Sequence, residues 1–173
     1  MLDATPDGRA VYGAMGFRDL AGIGRWRGTG AGRRSTSLTM TDGLAEAGFA
    51  TDARAFGSDR SALLADLRQR PDAVALAAPD DRGWLWSRAG RTATQIGPII
   101  ATDSSDALAL CAAALDCIGG PILIDIPDRE TELIEFVTDR GFSLERKLTR
   151  MARGGAPATL GPAMRAIAGP ELG

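Results

Sequence analysis

The apolar and polar positions along the chain follow two periods. Runs of strand length, alternating or continuously apolar, occupy residues 18–28 (RDLAGIGRWRG), 73–78 (AVALAA), 83–88 (GWLWSR), 92–100 (TATQIGPII), 121–127 (PILIDIP) and 143–153 (SLERKLTRMAR). The helical period governs three longer stretches. In GSDRSALLADLRQRPD, Leu63, Leu64 and Leu67 form a stripe, Ser58 or Asp59 stands at the cap and Pro71 closes the segment. In SSDALALCAAALDCIG, Ala107, Leu108, Cys111, Ala114, Leu115 and Ile118 share one face, with Gly119 and Gly120 as the stop. In DRETELIEFVTDRGF, acids fill the first turn, Leu133, Phe136 and Val137 line the buried side and Gly141 ends the helix.

The turn PDDRG between residues 78 and 84 predicts a hairpin and therefore antiparallel pairing. Farther on, strands alternate with helices, which predicts parallel pairing through crossover connections. PILIDIP, apolar almost throughout and bounded by Gly and Pro, suits a strand buried on both faces. The expected fold class is α/β, a mixed β-sheet flanked by helices over residues 38–153. Residues 28–37 (GTGAGRRSTS) show no apolar period and read as a linker before it. Residues 154–173, rich in Gly and Pro yet apolar, read as a tail lying across a domain surface.

Residues 2–17 (LDATPDGRAVYGAMGF) pack a strand end, a turn, a short amphipathic helix and a Gly-Phe stop into the start of the chain. The layout recurs later. Asp and Pro mark a strand end (Asp3 and Pro6; Asp125 and Pro127), and a helix closes on Gly-Phe (Gly16-Phe17; Gly141-Phe142). An arginine follows eight residues after the Phe (Arg25; Arg150), then a large apolar residue (Trp26; Met151). Residues 1–27 are therefore expected to be a strand–helix–strand remnant of a second unit of the same kind. Such a fragment has too few strands to bury its own apolar face. It should dock on the main domain, pair with another copy through its open edge as a homodimer, or stay mobile.

Composition trims the range of functions. At 173 residues, 45% hydrophobic and 24% charged, the chain is ordinary globular material with enough length for a sizeable core. A net charge of −2 without a basic run argues against nucleic acid as a partner. No apolar stretch approaches the roughly 18 residues that span a bilayer, and Asp3, Asp7 and Arg9 interrupt any signal-peptide core. The cytoplasm is the expected location, with no membrane association. Histidine is absent, which removes Ser-His-Asp and Cys-His catalysis and the commonest transition-metal ligand, and no acidic cluster has metal-ligand spacing. Cys111 and Cys117, six residues apart on one helix, point to different faces and read as core thiols.

At YGAMGF (residues 12–17) the chain matches the signature Y-x-x-x-G-F of the GNAT superfamily of N-acetyltransferases. It resembles in particular the C-terminal part of bacterial two-domain GNAT proteins, where DATP-x-GR-x-VY-x-x-x-GF closes the first domain and a diverged copy follows. FGSDRSALL, TATQIGPII, LIDIPD, LTRM and AIAGPELG are similar to stretches of that second copy. The resemblance covers most of the chain. It implies a GNAT-like sheet over residues 38–153, an N-terminally truncated first copy in residues 1–27, and acetyl-CoA as co-substrate with no metal. The acceptor it implies is a small-molecule amine or a protein N-terminus.

The family holds acetyl-CoA where the fourth and fifth strands part, its pyrophosphate on a turn R/Q-x-x-G-x-G/A at the next helix start, where free N–H groups and the helix dipole favour an anion. The segment matching that turn is IIATDSSDALAL, which makes Ile99, Ile100, Ser104 and Ser105 the cofactor-binding candidates. It has no Gly, Arg or Gln, and Asp103 and Asp106 would repel a pyrophosphate there. Ser104 and Ser105 have a competing role as helix caps. Gly97-Pro98 should break the strand ladder where the family's strands separate.

Many family members use a Tyr in the last helix to protonate the departing thiolate. Tyr12, the one tyrosine of the chain, matches that position, with an ordinary packing role beside the apolar helix stripe as its structural alternative, while the second copy carries Val137. The substrate-binding candidates are Trp84, sharing a strand face with Trp86, Thr94 and Gln95 beside the cleft, and Asp125 at the C-terminal end of a buried strand. Core packing and helix capping are their structural alternatives. Two functions follow: N-acetyl transfer to an amine, needing the missing part or a partner for activity, or a non-catalytic GNAT-fold module that binds a ligand or supports a partner domain.

Overall fold

The computed structural model describes residues 1–33, 39–40, 46–155 and 160–172. Part of the expected linker and a few residues of the tail lie outside these. The described strands form one mixed sheet in the order β1 (Leu2–Ala4), β8 (Ser143–Ala152), β2 (Arg18–Ala31), β7 (Gly119–Pro127), β6 (Thr94–Ala101), β5 (Gly83–Ala89), β4 (Ala75–Ala77), β3 (Thr39–Met40). A last strand, β9 (Met164–Ala166), pairs with β6.

Local chemistry accounts for the helices. In α1 (Pro6–Ala14), the Thr5 side chain accepts from the Gly8 amide and Pro6 opens the first turn. In α4 (Ser104–Cys117) the cap is Asp103, whose carboxylate accepts from the Asp106 amide, with the Ser105 hydroxyl donating to the same oxygen. The cap expected at Ser104 or Ser105 therefore falls one residue earlier. α3 (Ser61–Arg68) and α5 (Thr131–Thr138) stand where the apolar period places them. α2 (Glu46–Phe56) was not expected. Its Asp52 is fixed by the forked guanidinium of Arg60 at 2.7 and 2.8 Å, with both side chains buried.

The sheet has a core on each face. One joins Leu85, Ile96, Ile99 and Ile124 to α4 and α5; the other joins Ile23, Trp84, Trp86 and Ile100 to Leu64, Leu67 and the C-terminal segment. β6 and β7 pair in parallel, and β4, β5 and β6 are antiparallel, as the sequence predicts. β7 and β8 do not pair, because β2 lies between them, antiparallel to both.

β2 runs past the expected boundary at Gly28, with Gly28–Ala31 facing residues 119–122 of β7. The glycines that suggested a linker serve close packing instead. A Cβ on Gly28 would strike the Phe142 ring, and one on Gly30 would strike the Ile118 carbonyl oxygen. Residues 1–27 dock within this one sheet, β1 against β8 and β2 between β7 and β8.

The docking has a local twofold pattern. In the β2–β8 ladder, Arg18 faces Ala152 while Arg27 faces Ser143, Asp19 faces Met151 while Trp26 faces Leu144, and Ile23 faces Leu148 at the centre. Each outer pair maps onto another, and Ile23–Leu148 onto itself, through the 125-residue offset that relates Gly16 to Gly141 and Arg25 to Arg150. Leu20 and Glu145, the unpaired bulge residues, share that offset. The helix ends match too: the amides of Phe17 and Phe142 each donate over 3.0 Å to the carbonyls of Tyr12 and Val137, after glycines at φ +85° and +82°.

Candidate functional site: a strand gap filled from within

Ladder pairing between the parallel strands β6 and β7 covers only Thr94–Ile96 against Ile122–Ile124. Beyond Ile96 the two strands separate at Gly97-Pro98, as the sequence suggested. The gap between them is not open. β9 enters it antiparallel to β6, with Ala166 opposite Ile99 and Met164 opposite Ile100. The Ala101 amide donates to the Ala163 carbonyl at 3.0 Å, and on the far side the Ile167 amide donates to the Asp125 carbonyl at 3.0 Å. Met164, Ala166, Ile167 and Ala168 are fully buried. Gly97, at φ +144°, leaves no room for a Cβ, which would overlap the Ile167 carbonyl. The tail expected on a domain surface is part of the sheet.

Arginines clamp this segment. Arg129, in the β7–α5 turn, donates to the carbonyls of Leu160, Gly161 and Met164 at 2.6, 2.6 and 2.9 Å. Arg165, on β9, donates to the carbonyls of Ala101 and Thr102 at 3.2 and 3.0 Å, and Glu130 joins both guanidinium groups. Arg88 contacts the Ala168 carbonyl and pairs with Glu171. Beside the clamp, Ser104, Arg129, Glu130, Thr131 and Arg165 line a cavity of about 390 Å³. Sequence reasoning missed the clamp. The one readable signal was the apolar alternation of MRAIA (residues 164–168) inside a segment dominated by Gly and Pro.

The cofactor-binding candidates are committed elsewhere. Ile99 and Ile100 are fully buried and face β9. Ser104 borders the cavity, and Ser105 bonds the capping carboxylate. That carboxylate, Asp103, lies below its ordinary range, chiefly through the Asp106 amide and then Ser105. Asp106 in turn receives Arg82 at 2.7 Å. The start of α4 already holds a negative charge, and the Ala101 and Thr102 amides are bonded to Ala163 and Arg82. These residues do not fit a pyrophosphate.

Of the substrate-binding candidates, Gln95 and Asp125 come together. The Asp125 carboxylate is fully buried, takes two bonds of 2.8 Å from Arg25 and one of 3.1 Å from Gln95. This polar knot ties β2, β6 and β7. The Arg25 guanidinium is held above its ordinary pKa, chiefly by the hydrogen bond to Asp125. Thr94 is half-buried at the start of β6, opposite Ala89 and Ile122. Trp84 is buried against Trp86, their centroids 5.0 Å apart, in the core opposite α4. Tyr12 stands half-exposed on α1, its ring 5.6 Å from Phe17. The unit that carries it opens on β1, four places from β6 in the sheet. The candidates therefore fall into three separate places.

Among the described residues, no group of His, Cys, Asp or Glu is arranged to hold a metal ion, and no helix is long and apolar enough to cross a membrane.

A mixed sheet whose central parallel strands part in front of a helix N-terminus defines the GNAT class of fold, and the comparisons agree. The model of the Acetyltransferase (GNAT) domain family matches residues 49–161, so the chain belongs to that family. A proposed acetyltransferase from Pyrococcus horikoshii shares the fold over 99% of this chain and 59% of its own, with a TM-score of 0.83 and 21% identity. A GCN5-related N-acetyltransferase from Sphaerobacter thermophilus aligns over 86% of this chain and 57% of its own (TM-score 0.55, 14% identity). One from Kribbella flavida aligns over 91% and 47% (TM-score 0.56, 16% identity). The chain thus spans less than two thirds of each of these proteins. No curated protein matches it in sequence.

Proposed function

We propose that the protein takes part in N-acetyl transfer, moving an acetyl group from acetyl-CoA to a primary amine of a small molecule or a protein N-terminus. The observation that carries this reading is the inequality of two positions related by the local twofold. Val137 is fully buried in the core covered by α4 and α5. Tyr12, at the equivalent place, is half-exposed beside β1, which has β8 on one side and no strand among the described residues on the other. On this reading the β1–α1–β2 unit carries the reacting group, and residues 49–161 support it. The amine nitrogen bonds the acetyl carbon as the carbon–sulfur bond breaks; Tyr12 protonates the departing thiolate and solvent takes the amine's proton. The β6–α4 junction offers no pyrophosphate turn.

The filled gap favours a second reading, a non-catalytic module that binds a small ligand or supports a partner domain. Calorimetric titration with acetyl-CoA, with desulfo-CoA as the non-reactive check and hydrogen exchange to map contacts, separates the two. Binding that protects residues 2–17 is expected for transfer. No binding by folded protein overturns that reading, and protection confined to residues 99–106 overturns the placement of the reacting group on the β1–α1–β2 unit.

A further inference from the structure

Two neighbouring strands that part inside a sheet leave backbone N–H and C=O groups facing each other across the gap. Buried in apolar surroundings, those groups require partners. The partner must be an extended chain with amides at strand spacing, either a ligand or a segment of the protein. We infer that residues 160–172 are a built-in, separately releasable occupant of the β6–β7 gap, which they close to any other extended ligand, acyl-pantetheine included.

Three observations carry this. β9 spans three residues and meets β7 through one bridge, Asp125 to Ile167, whereas β2 faces β7 over nine register positions. Its release breaks far fewer bonds than unfolding the sheet. Its more exposed side-chain hold lies toward its two ends, with Arg129, 40% exposed, at one and Arg88 with Glu171, 14% and 54% exposed, at the other, while Arg165, 14% exposed, adds bonds to Ala101 and Thr102 from the middle. Three of the four acceptors of the Arg129 guanidinium are backbone carbonyls of the occupant, a grip that depends on the chain being seated and extended. Release has a counterweight, since Met164, Ala166 and Ile167 leave the core when it occurs. The open state is therefore a minor one. This inference goes beyond the transfer reading and stands without it.

Native-state hydrogen exchange on the full chain tests it. The amides of Ala101 and Ile167, which bond across the two sides of β9, should exchange faster than those of residues 23–27 in β2. Arg129→Ala should accelerate the first pair at least about tenfold, the effect of losing charge-assisted hydrogen bonds, and leave residues 23–27 unchanged. Arg129→Lys should fall between, since it keeps the charge and loses the fork. Arg88→Ala, at the other end, provides the same readout if Arg129→Ala fails to fold. Equal rates for both groups, accelerating in parallel in the variants, would show an integral core strand and overturn the inference. So would wild-type exchange at Ala101 and Ile167 that saturating acetyl-CoA changes. Acetyl-CoA that binds and leaves those amides unchanged keeps both readings. Acetyl-CoA that does not bind removes the transfer reading and leaves the exchange result to decide this one.

Discussion

Arg150 reaches Asp3 across 147 positions of chain and holds it with two nitrogens, each 2.7 Å from a carboxylate oxygen, with both side chains 1% exposed. Arg25 and Asp125 repeat the arrangement at 2.8 Å across the local twofold. Each pair joins the N-terminal unit to the rest of the sheet, so residues 1–31 are bound into the domain by buried charge as well as by strand pairing.

Removing one partner of the Arg150–Asp3 pair should be costly. Asp3→Ala leaves a buried guanidinium without its carboxylate, and a loss of about 3–5 kcal/mol is expected. The double variant Asp3→Leu/Arg150→Met should recover most of it, because an apolar pair of similar volume removes both desolvated charges. Urea unfolding of the three proteins measures this; a double variant no more stable than the single one would contradict it.

Acid should act through the cap of α4. The Asp103 carboxyl is held below 3.8 by the Asp106 amide and Ser105. A depressed folded pKa stabilises above the unfolded value and loses that contribution as pH falls through the folded one. Asp103→Asn keeps a capping oxygen and removes the titration. Its unfolding midpoint should therefore fall less steeply than wild type as pH drops through and below the ordinary Asp range. Parallel curves would rule the cap out.

The two cysteines should behave differently toward a disulfide reagent. Burial pushes the Cys111 thiol up to about 12, and Cys117 is half-exposed. At pH 8 the folded protein should titrate one thiol and the denatured protein two. Rapid modification of both in the native state would mean that α4 does not hold Cys111 as described.

What the sequence revealed was local. The Gly-Phe helix stops, the Arg that follows each and the Asp facing that Arg hold equivalent places in residues 1–31 and 125–153 and were legible as spacing, whereas the two prolines do not correspond, since Pro6 opens α1 and Pro127 ends β7. The interleaving of β2 between β7 and β8 was not, because it depends on pairing across about a hundred residues, which no short window contains. Gly28 and Gly30 misled for a physical reason: the absence of a side chain serves tight packing against Phe142 and Ile118 as well as it serves a flexible linker. α2 was missed because part of its buried surface is the Asp52–Arg60 ion pair, polar residues that carry no hydrophobic period. At the site, the parting of the strands was written in Gly97-Pro98, whereas the occupant of the gap comes from sixty residues farther on and is fixed by arginines bonding to backbone carbonyls, which leave no sequence signature.

The most direct measurement is acetyl transfer itself, comparing wild type with Tyr12→Phe on a panel of primary amines with acetyl-CoA, and following both acetylated product and free thiol. Tyr12→Phe should lower kcat by about 10²–10⁴, the usual contribution of a positioned acid, with KM for acetyl-CoA little changed. Equal turnover by the two proteins would contradict the assignment of Tyr12, and no product from folded wild-type protein with any amine would leave the non-catalytic module as the function.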